Sequence, residues 1–495
     1  MKEFLLQHAD KDPVSFHMPG HKGEAIFRKY GYGDFLDRFV DCDVTEIPGA
    51  DNLFQAEGII RDVMERYARL YDVQNSFLLI NGSSGGLIAS VMASVKPGGK
   101  LIMARNCHKA VFNALTLAGA EPVYAHPEFL EEYGISGAVT VEEIERCMNE
   151  NPDADAVILP SPNYYGICSD IESIAKAVHA RDKVLIVDQA HGAHLKFFHK
   201  FGFGDGMPKS AEESGADLVI GSIHKTLATL TQSAILNHNT ERVSKYVLED
   251  KLQMIESTSP SYILMSFLDI NAEILENHGA EAIGDWRRNL DAFYEELKEI
   301  PGLKIMSVGA DGGEGDSSTT SRAGRMDMTK VNLDMGAYGI DGAALELELM
   351  KYNIFPELYA GNVLMLMTGI GNTKKHFDRT IAALKDIAWQ HAADYNEERF
   401  AVDAAGGAAS QPAFKAPAPG KLHPIPIHKE MVPLDEAAGR ICASSLIPYP
   451  PGIPLVCPGE EITEDMISYV KALRNDGEKV MGITDQGDVV VGTKE

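Results

Sequence analysis

Between residues 76 and 237 the chain repeats one pattern: a short apolar run, a polar turn, an amphipathic stretch, then another apolar run. The runs Ser76–Ile80, Lys100–Met103, Pro122–Ala125, Ala156–Leu159, Val184–Asp188, Leu218–Ser222 and Ser233–Asn237 read as strands. Leu87–Val95, Ala110–Ala118, Val141–Asn149 and Ile171–Ala180 carry apolar residues at i, i+3, i+4 spacing and read as helices. Such alternation builds βαβ units, whose helices cover both faces of a largely parallel sheet. The expected fold class is therefore α/β, a seven-stranded, mostly parallel sheet flanked by helices. Ligands of such sheets bind beyond the carboxyl ends of the strands. The residues just after each apolar run are therefore where chemistry should be sought.

The chain has 495 residues, length for about three domains at roughly 150 residues each. Beyond the alternating region come a helical stretch at about 279–299 and a Gly/Ser/Asp-rich loop at 309–324. Strand–helix alternation then resumes to about residue 395. Between Ala401 and Gly420, 14 of 20 residues are Ala, Gly or Pro, a linker composition. The expected division is an N-terminal segment at 1–75, a major domain at 76–300 and a smaller α/β domain at 301–395. A linker at 396–420 and a C-terminal module at 421–495 complete it.

Forty-five Lys and Arg against 72 Asp and Glu leave a charge of −27. With no basic run to neutralise phosphates, nucleic acid and anionic membrane surfaces are excluded as partners. An acidic surface favours a cationic small molecule, though solubility alone also accounts for it. The N-terminus turns polar after three apolar residues, and no apolar run approaches the ~20 residues of a membrane span. Six cysteines, without a C-x-x-C pair, read as reduced thiols. A cytoplasmic location is expected.

Three strand ends carry chemistry. Asn81-Gly82-Ser83-Ser84-Gly85-Gly86 lies between a strand and a helix. Its glycines, hydroxyls and free helix N–H groups can cradle a phosphate, or it is simply a glycine-rich helix start. Val184–Asp188 ends on a carboxylate in the crevice position, which needs a cationic partner once desolvated, unless it only caps a turn. Leu218–Ser222 runs into Ile223-His224-Lys225. A lysine there can act as an amine nucleophile or sit solvated in a loop. Together, a phosphate cradle, an acid and a lysine are the parts of a pyridoxal 5′-phosphate site. His108, after another strand, is placed to cover the ring. His17 and His21 have the spacing of a helical metal pair, but Pro19-Gly20 breaks any helix between them, so no metal is expected.

With these motifs the chain resembles the Orn/Lys/Arg decarboxylase family of fold-type I pyridoxal phosphate enzymes over nearly its whole length. The resemblance rests on Ser15-Phe16-His17-Met18-Pro19-Gly20-His21-Lys22-Gly23, Asp43-Val44-Thr45-Glu46-Ile47-Pro48-Gly49 and Ser161-Pro162-Asn163-Tyr164-Tyr165-Gly166. It rests also on Ser222-Ile223-His224-Lys225 followed by Leu230-Thr231-Gln232-Ser233, and on Pro448-Tyr449-Pro450-Pro451-Gly452-Ile453-Pro454 with Pro458-Gly459-Glu460. It implies that Lys225 bonds the cofactor covalently, Asp188 faces the pyridine nitrogen and His108 stacks on the ring. Ser83, Ser84, Gly85, Ser222 and His224 would hold the phosphate, with Ala190 and His191 beside or behind the ring. Residues 76–300 become the cofactor-binding domain. The acid that often follows the strand-end Asp is Gln189 here, which reads as a surface adjustment. The chain resembles the short form of the family, without an N-terminal wing domain.

The resemblance implies decarboxylation of a basic L-amino acid for polyamine synthesis: arginine to agmatine first, then lysine to cadaverine or ornithine to putrescine. His224 or Lys225 would return the proton to Cα. The distal cation could be received by Asp41, Asp43, Glu46, Asp51 or Glu357. Fold-type I sites usually form between subunits, so a homodimer or larger homo-oligomer is expected. An aminotransferase is the enzymatic alternative, but the late strand Val363–Met367 continues Thr368-Gly369-Ile370-Gly371 without the Arg that clamps a carboxylate. An inactive regulatory or scaffold protein of the same fold is the alternative from another class, opposed by the presence of both Lys225 and Asp188.

Overall fold

The computed structural model of the chain describes residues 1–306, 325–396, 417, 420–449, 454–475 and 479–493. Seven strands form its main sheet: β1 (Asn75–Leu79), β2 (Lys100–Ala104), β3 (Glu121–Ala125), β4 (Ala156–Pro160), β5 (Val184–Asp188), β6 (Leu218–Gly221) and β7 (Ala234–His238). Their spatial order is β1-β7-β6-β5-β4-β2-β3. Only β7 runs against its neighbours; the other pairings are parallel. The seven expected runs are these strands, shifted by a residue at most at either end. Three amphipathic helices match as closely, α3 (Lys109–Ala118), α4 (Val141–Glu150) and α5 (Ile171–His179), while α1 (Ile59–Tyr71) was not anticipated.

The helix after β1 starts earlier than its periodicity suggests. Called α2, it runs Gly82–Ser94, so the glycine–serine motif is its first turn and not a loop before it. Those residues are poor helix formers, and tertiary packing holds them. A Cβ on Gly86 would lie 2.5 Å from Leu79 Cδ1, so a larger residue there would have to push the Leu79 side chain aside or lift the helix from the sheet.

Helix α6 (Tyr262–Leu297) is 36 residues long, about 54 Å at 1.5 Å per residue. The expected stretch at 279–299 was its second half. The first half is buried on several sides, at Tyr262, Ile263, Met265, Phe267, Leu268 and Ile270, which hides the one-faced apolar stripe that marks a surface helix. Tyr262 to Trp286 belong to the core around Tyr67, Phe197 and Phe198. Leu290, Phe293 and Leu297 belong to the core of the smaller domain. One rigid element thus ties the two cores together.

The smaller domain is built on an antiparallel sheet, β8 (Lys304–Ile305), β9 (Lys330–Asp334), β10 (Leu358–Ala360) and β11 (Val363–Met367), in the order β8-β9-β11-β10. Helix α7 (Lys374–Gln390) packs Phe377, Ile381, Leu384 and Ile387 into its core. The chain's beginning joins this domain: Val14–Ser15 pairs in parallel with Ile354–Phe355. The expected loop at 309–324 and most of the expected linker lie outside the described residues.

The C-terminal module has its own core of Leu434, Cys442, Val456, Ile462, Met466, Val470, Val489 and Val491. It is fastened to the turn after β2 by Arg105, whose guanidinium makes a two-pronged pair with Glu460 at 3.0 Å on each arm. The same guanidinium donates to the carbonyls of Pro454 at 2.7 Å and Leu455 at 2.9 Å. All six cysteines are free thiols. No described helix is long and apolar enough to cross a membrane.

Candidate active site

Parallel strands deliver their following residues to one edge, and the expected site residues collect there. Asp188, the last residue of β5, is buried, with Oδ1 accepting from the Ala190 N–H at 3.1 Å. Burial pushes its carboxyl above the usual range, and the Lys225 cation works against that shift. Burial draws Lys225 below the usual lysine range. Asp188 and Glu357 oppose the change, and Lys330 adds to it. A buried carboxylate with its pKa raised is one that a further cation would stabilise.

Beside β6, the Ser222 hydroxyl donates to Ser83 Oγ at 2.8 Å, joining the start of α2 to the lysine loop. Helix α2 has no side-chain cap, so its first N–H groups and its dipole are free to meet an anion. Ser84 is half-buried in that first turn. Gly85 packs against the chain's own Glu256: a Cβ there would lie 3.2 Å from Glu256 Oε1. Glu256 itself accepts from the Asn81 N–H at 2.9 Å, and burial pushes its carboxyl up to about 7.

Four histidines have distinct positions. His108 caps α3, its Nδ1 accepting from the Ala110 N–H at 3.2 Å. Burial, and secondarily Lys225, lower it to about 4. His224 bonds the Ser233 carbonyl through Nδ1 at 2.9 Å, and burial lowers it to about 4. His191 Nε2 is 2.9 Å from Lys225 Nζ, and its ring meets that of Tyr164 with centroids 4.8 Å apart. His194, not anticipated, is wholly buried against Asp327 and Thr226.

Two further lysines approach from outside the main sheet. Lys330, at the start of β9, is fully buried and pairs with Asp327 at 2.7 Å while also donating to the His191 carbonyl. Lys22 donates to the carbonyls of His17 and Met367, and burial lowers it to about 7. Neither was legible locally. Lys330 and Asp327 follow β6 by about a hundred residues, and only the tertiary fold brings them back to it.

The N-terminal signature turns out to be a brace. Gly20 N–H donates to the His224 carbonyl at 2.7 Å, and Gly371 N–H to the Gly20 carbonyl at 3.0 Å. A Cβ on Gly20 would stand 2.3 Å from the Thr226 carbonyl carbon. The end of β11, where an aminotransferase would offer its arginine, is thereby filled by N-terminal backbone. Thr368 there binds the Thr329 carbonyl at 2.9 Å and accepts from Trp286 Nε1 at 2.9 Å. His17 and His21 each turn a ring nitrogen to neighbouring backbone, Met18 and Gly23.

Two acidic readings change. Gln189 adjusts no surface: it is buried, donating to Glu212 Oε2 at 2.9 Å and accepting from the Ala211 N–H at 2.6 Å. An acid in its place would set two buried carboxylates together, so the amide is what Glu212 allows. Asp51 has both oxygens engaged by the N–H groups of Asn52, Glu57, Gly58, Ile60 and Arg61. It shapes its own loop. Asp41, Asp43 and Glu46 are exposed. Glu357 is half-buried, accepts from the Met18 N–H at 3.0 Å and acts electrostatically on both Lys225 and Lys22.

These residues fit pyridoxal 5′-phosphate: an uncapped helix start with a linked serine pair for the phosphate, a buried carboxylate for the ring nitrogen, and a lysine three residues past Ser222 within electrostatic reach of that carboxylate. Sheet order and site together define a fold-type I pyridoxal phosphate enzyme. The fold is shared with the constitutive lysine decarboxylase of Escherichia coli, at a TM-score of 0.74 and 20% identity, covering 96% of this chain and 79% of that one. A serine palmitoyltransferase from Sphingomonas wittichii shares it more distantly, at a TM-score of 0.54 and 12% identity over 77% of this chain and 88% of that one.

The chain belongs to the Orn/Lys/Arg decarboxylase family, whose major domain matches residues 1–305 and whose C-terminal domain matches residues 410–489. It is 33% identical to an arginine decarboxylase of Bacillus subtilis over 488 residues, 97% of this chain and 94% of that protein. It is 25% identical to the lysine decarboxylase LdcA of Pseudomonas aeruginosa, over 95% of this chain and 75% of that protein. The family's enzymes are decarboxylases that use pyridoxal phosphate.

Proposed function

We propose that this enzyme removes the α-carboxylate of L-arginine, giving agmatine for polyamine synthesis, as a cytoplasmic homodimer. Lys225 is the covalent anchor, Asp188 faces the pyridine nitrogen, and His108 covers the ring. Ser83, Ser84, Ser222 and the α2 N-terminus hold the phosphate. The observation that supports this reading most is that Lys225, within electrostatic reach of the buried Asp188, follows by three residues a serine whose hydroxyl bonds Ser83 at the start of α2. When bound, pyridoxal phosphate supplies a protonated ring that takes up the electron pair left by carbon dioxide.

The protein's own groups do the rest. Lys225 is half-buried, and desolvation draws it toward its neutral, nucleophilic form. Asp188 holds a proton on the ring nitrogen. His108, kept neutral by burial, adds no competing charge. The end of β11 supplies no guanidinium to tether the carboxylate that must leave. Glu357, within electrostatic reach of Lys225, is our receptor for the substrate's distal cation. Arginine is placed first because a carboxylate can take a guanidinium with two parallel hydrogen bonds, and because several relatives with about a third of residues identical are arginine decarboxylases.

The test is carbon dioxide release from L-arginine, L-lysine and L-ornithine in parallel, using wild type, Lys225→Ala and Glu357→Gln. We expect the highest kcat/KM with arginine, loss of turnover in Lys225→Ala, and a rise in KM of about tenfold or more in Glu357→Gln, the worth of one charged hydrogen bond. Full-rate turnover in Lys225→Ala contradicts the site, and a preference for lysine or ornithine contradicts the substrate.

A further inference from the structure

Lys225 is one station in a closed circuit of polar contacts. Its Nζ meets His191 Nε2 at 2.9 Å, and the His191 carbonyl accepts from Lys330 Nζ. Lys330 pairs with Asp327 at 2.7 Å, Asp327 meets His194 Nε2 at 3.2 Å, and His194 Nδ1 meets Thr226 Oγ1 at 3.2 Å. Thr226 is the residue after Lys225, so the circuit returns to its start. Lys330, Asp327 and His194 are all fully buried. Lys330, itself held by Asp327, fixes the backbone from which the His191 imidazole reaches Lys225.

The far side of that imidazole carries a second observation. His191 Nδ1 is buried and has no hydrogen-bond partner. A buried N–H without an acceptor is rarer than a bare lone pair, so the favoured tautomer leaves Nδ1 bare and turns Nε2–H toward the Lys225 nitrogen. His224, a further imidazole within electrostatic reach of this lysine, spends its Nδ1 on the Ser233 carbonyl.

We propose that His191 is a catalytic residue of the decarboxylation, the proton partner of Lys225. The step rests on the decarboxylase reading and balances as follows. The bond from Cα to the carboxylate carbon breaks, carbon dioxide leaves, and the electron pair ends in a new Cα–H bond whose proton comes from Lys225 Nζ. His191 Nε2–H replaces that proton on Nζ while Nδ1 takes one from a water admitted to its buried side, and the imidazole regains its starting tautomer by solvent exchange once the product has left, so it ends neutral and unchanged. One solvent proton is consumed per turnover, as the overall reaction requires. The charged and titratable groups around the pair are Lys330, His108, Asp327 and Tyr164 on the His191 side, and Asp188, Glu357, Lys330, His108 and His224 on the Lys225 side.

Two variants separate the hydrogen bond from the proton transfer. His191→Phe removes both; His191→Gln keeps an N–H for Lys225 and cannot relay a proton. The first readout is amine formed per carbon dioxide released. Wild type should give one, and both variants less, with the shortfall recovered as the corresponding aldehyde because the electron pair is protonated away from Cα. Turnover should fall about 100-fold. The second readout is the pH midpoint at which Lys225 of the cofactor-free protein reacts with an acylating reagent, followed by peptide mass. It should rise by about one unit in His191→Phe, as one lost hydrogen bond implies, and hold in His191→Gln. Unit stoichiometry with turnover near wild type in either folded variant overturns the proposal, and so does an unmoved midpoint in His191→Phe. If His191→Phe does not fold, the stoichiometry of His191→Gln decides. If wild type decarboxylates no basic amino acid, the functional reading fails while the labelling midpoint still reports on the contact.

Discussion

Glu256 lies directly behind the phosphate cradle, with Oε2 on the Asn81 N–H and Oε1 buried without a partner. Burial raises its carboxyl from an ordinary 4.5 to about 7. A raised carboxyl binds its proton more tightly when folded. The associated stability is therefore complete below pH 4.5 and drains away as pH climbs through about 7. Glu256→Gln cannot ionise, so it should remove that loss. Its stability at pH 8 should exceed wild type by about 2–3 kcal/mol, with little difference at pH 4.5, as read by thermal unfolding across pH. Parallel curves for the two proteins would contradict a buried, protonated Glu256.

At the scale of elements, strand ends were legible and braces were not. Asp188, His108 and Lys225 follow apolar runs that could only be buried strands, so the sequence alone places them at one sheet edge. Lys330, Asp327 and His194 carry no local sign of their role, because their partners lie on other elements and the contacts exist only after folding. Helix α2 shows the same limit from the other side: its first turn contradicts local propensity and is held by packing on Leu79. The turn between β2 and α3 does two jobs, with Arg105 gripping the C-terminal module and His108 facing Lys225. Truncating Arg105 leaves Glu460, which is wholly buried, without its cation. Arg105→Ala should therefore cost about 3–5 kcal/mol and free the module for limited proteolysis while residues 1–396 stay resistant. An unchanged melting temperature and cleavage pattern would show that the module is held by other contacts.

Across the whole molecule, three segments far apart in sequence bring a lysine to one place: Lys22 from the N-terminal brace, Lys225 from the main sheet and Lys330 from the smaller domain. The fold gives them unlike surroundings. Lys330 is locked to Asp327, and Lys22 is spent on two backbone carbonyls. Lys225 meets an imidazole, lies within electrostatic reach of Asp188 and follows Ser222, the partner of Ser83, by three residues. The net charge of −27 suits a cationic substrate, but it does not choose among the lysines; geometry does. The direct test is to load the protein with pyridoxal phosphate, reduce the carbon–nitrogen bond with borohydride and map the modified peptide by mass. The cofactor should be found on Lys225, and on Lys225 alone; modification at Lys22 or Lys330, or at none of the three, would contradict the site.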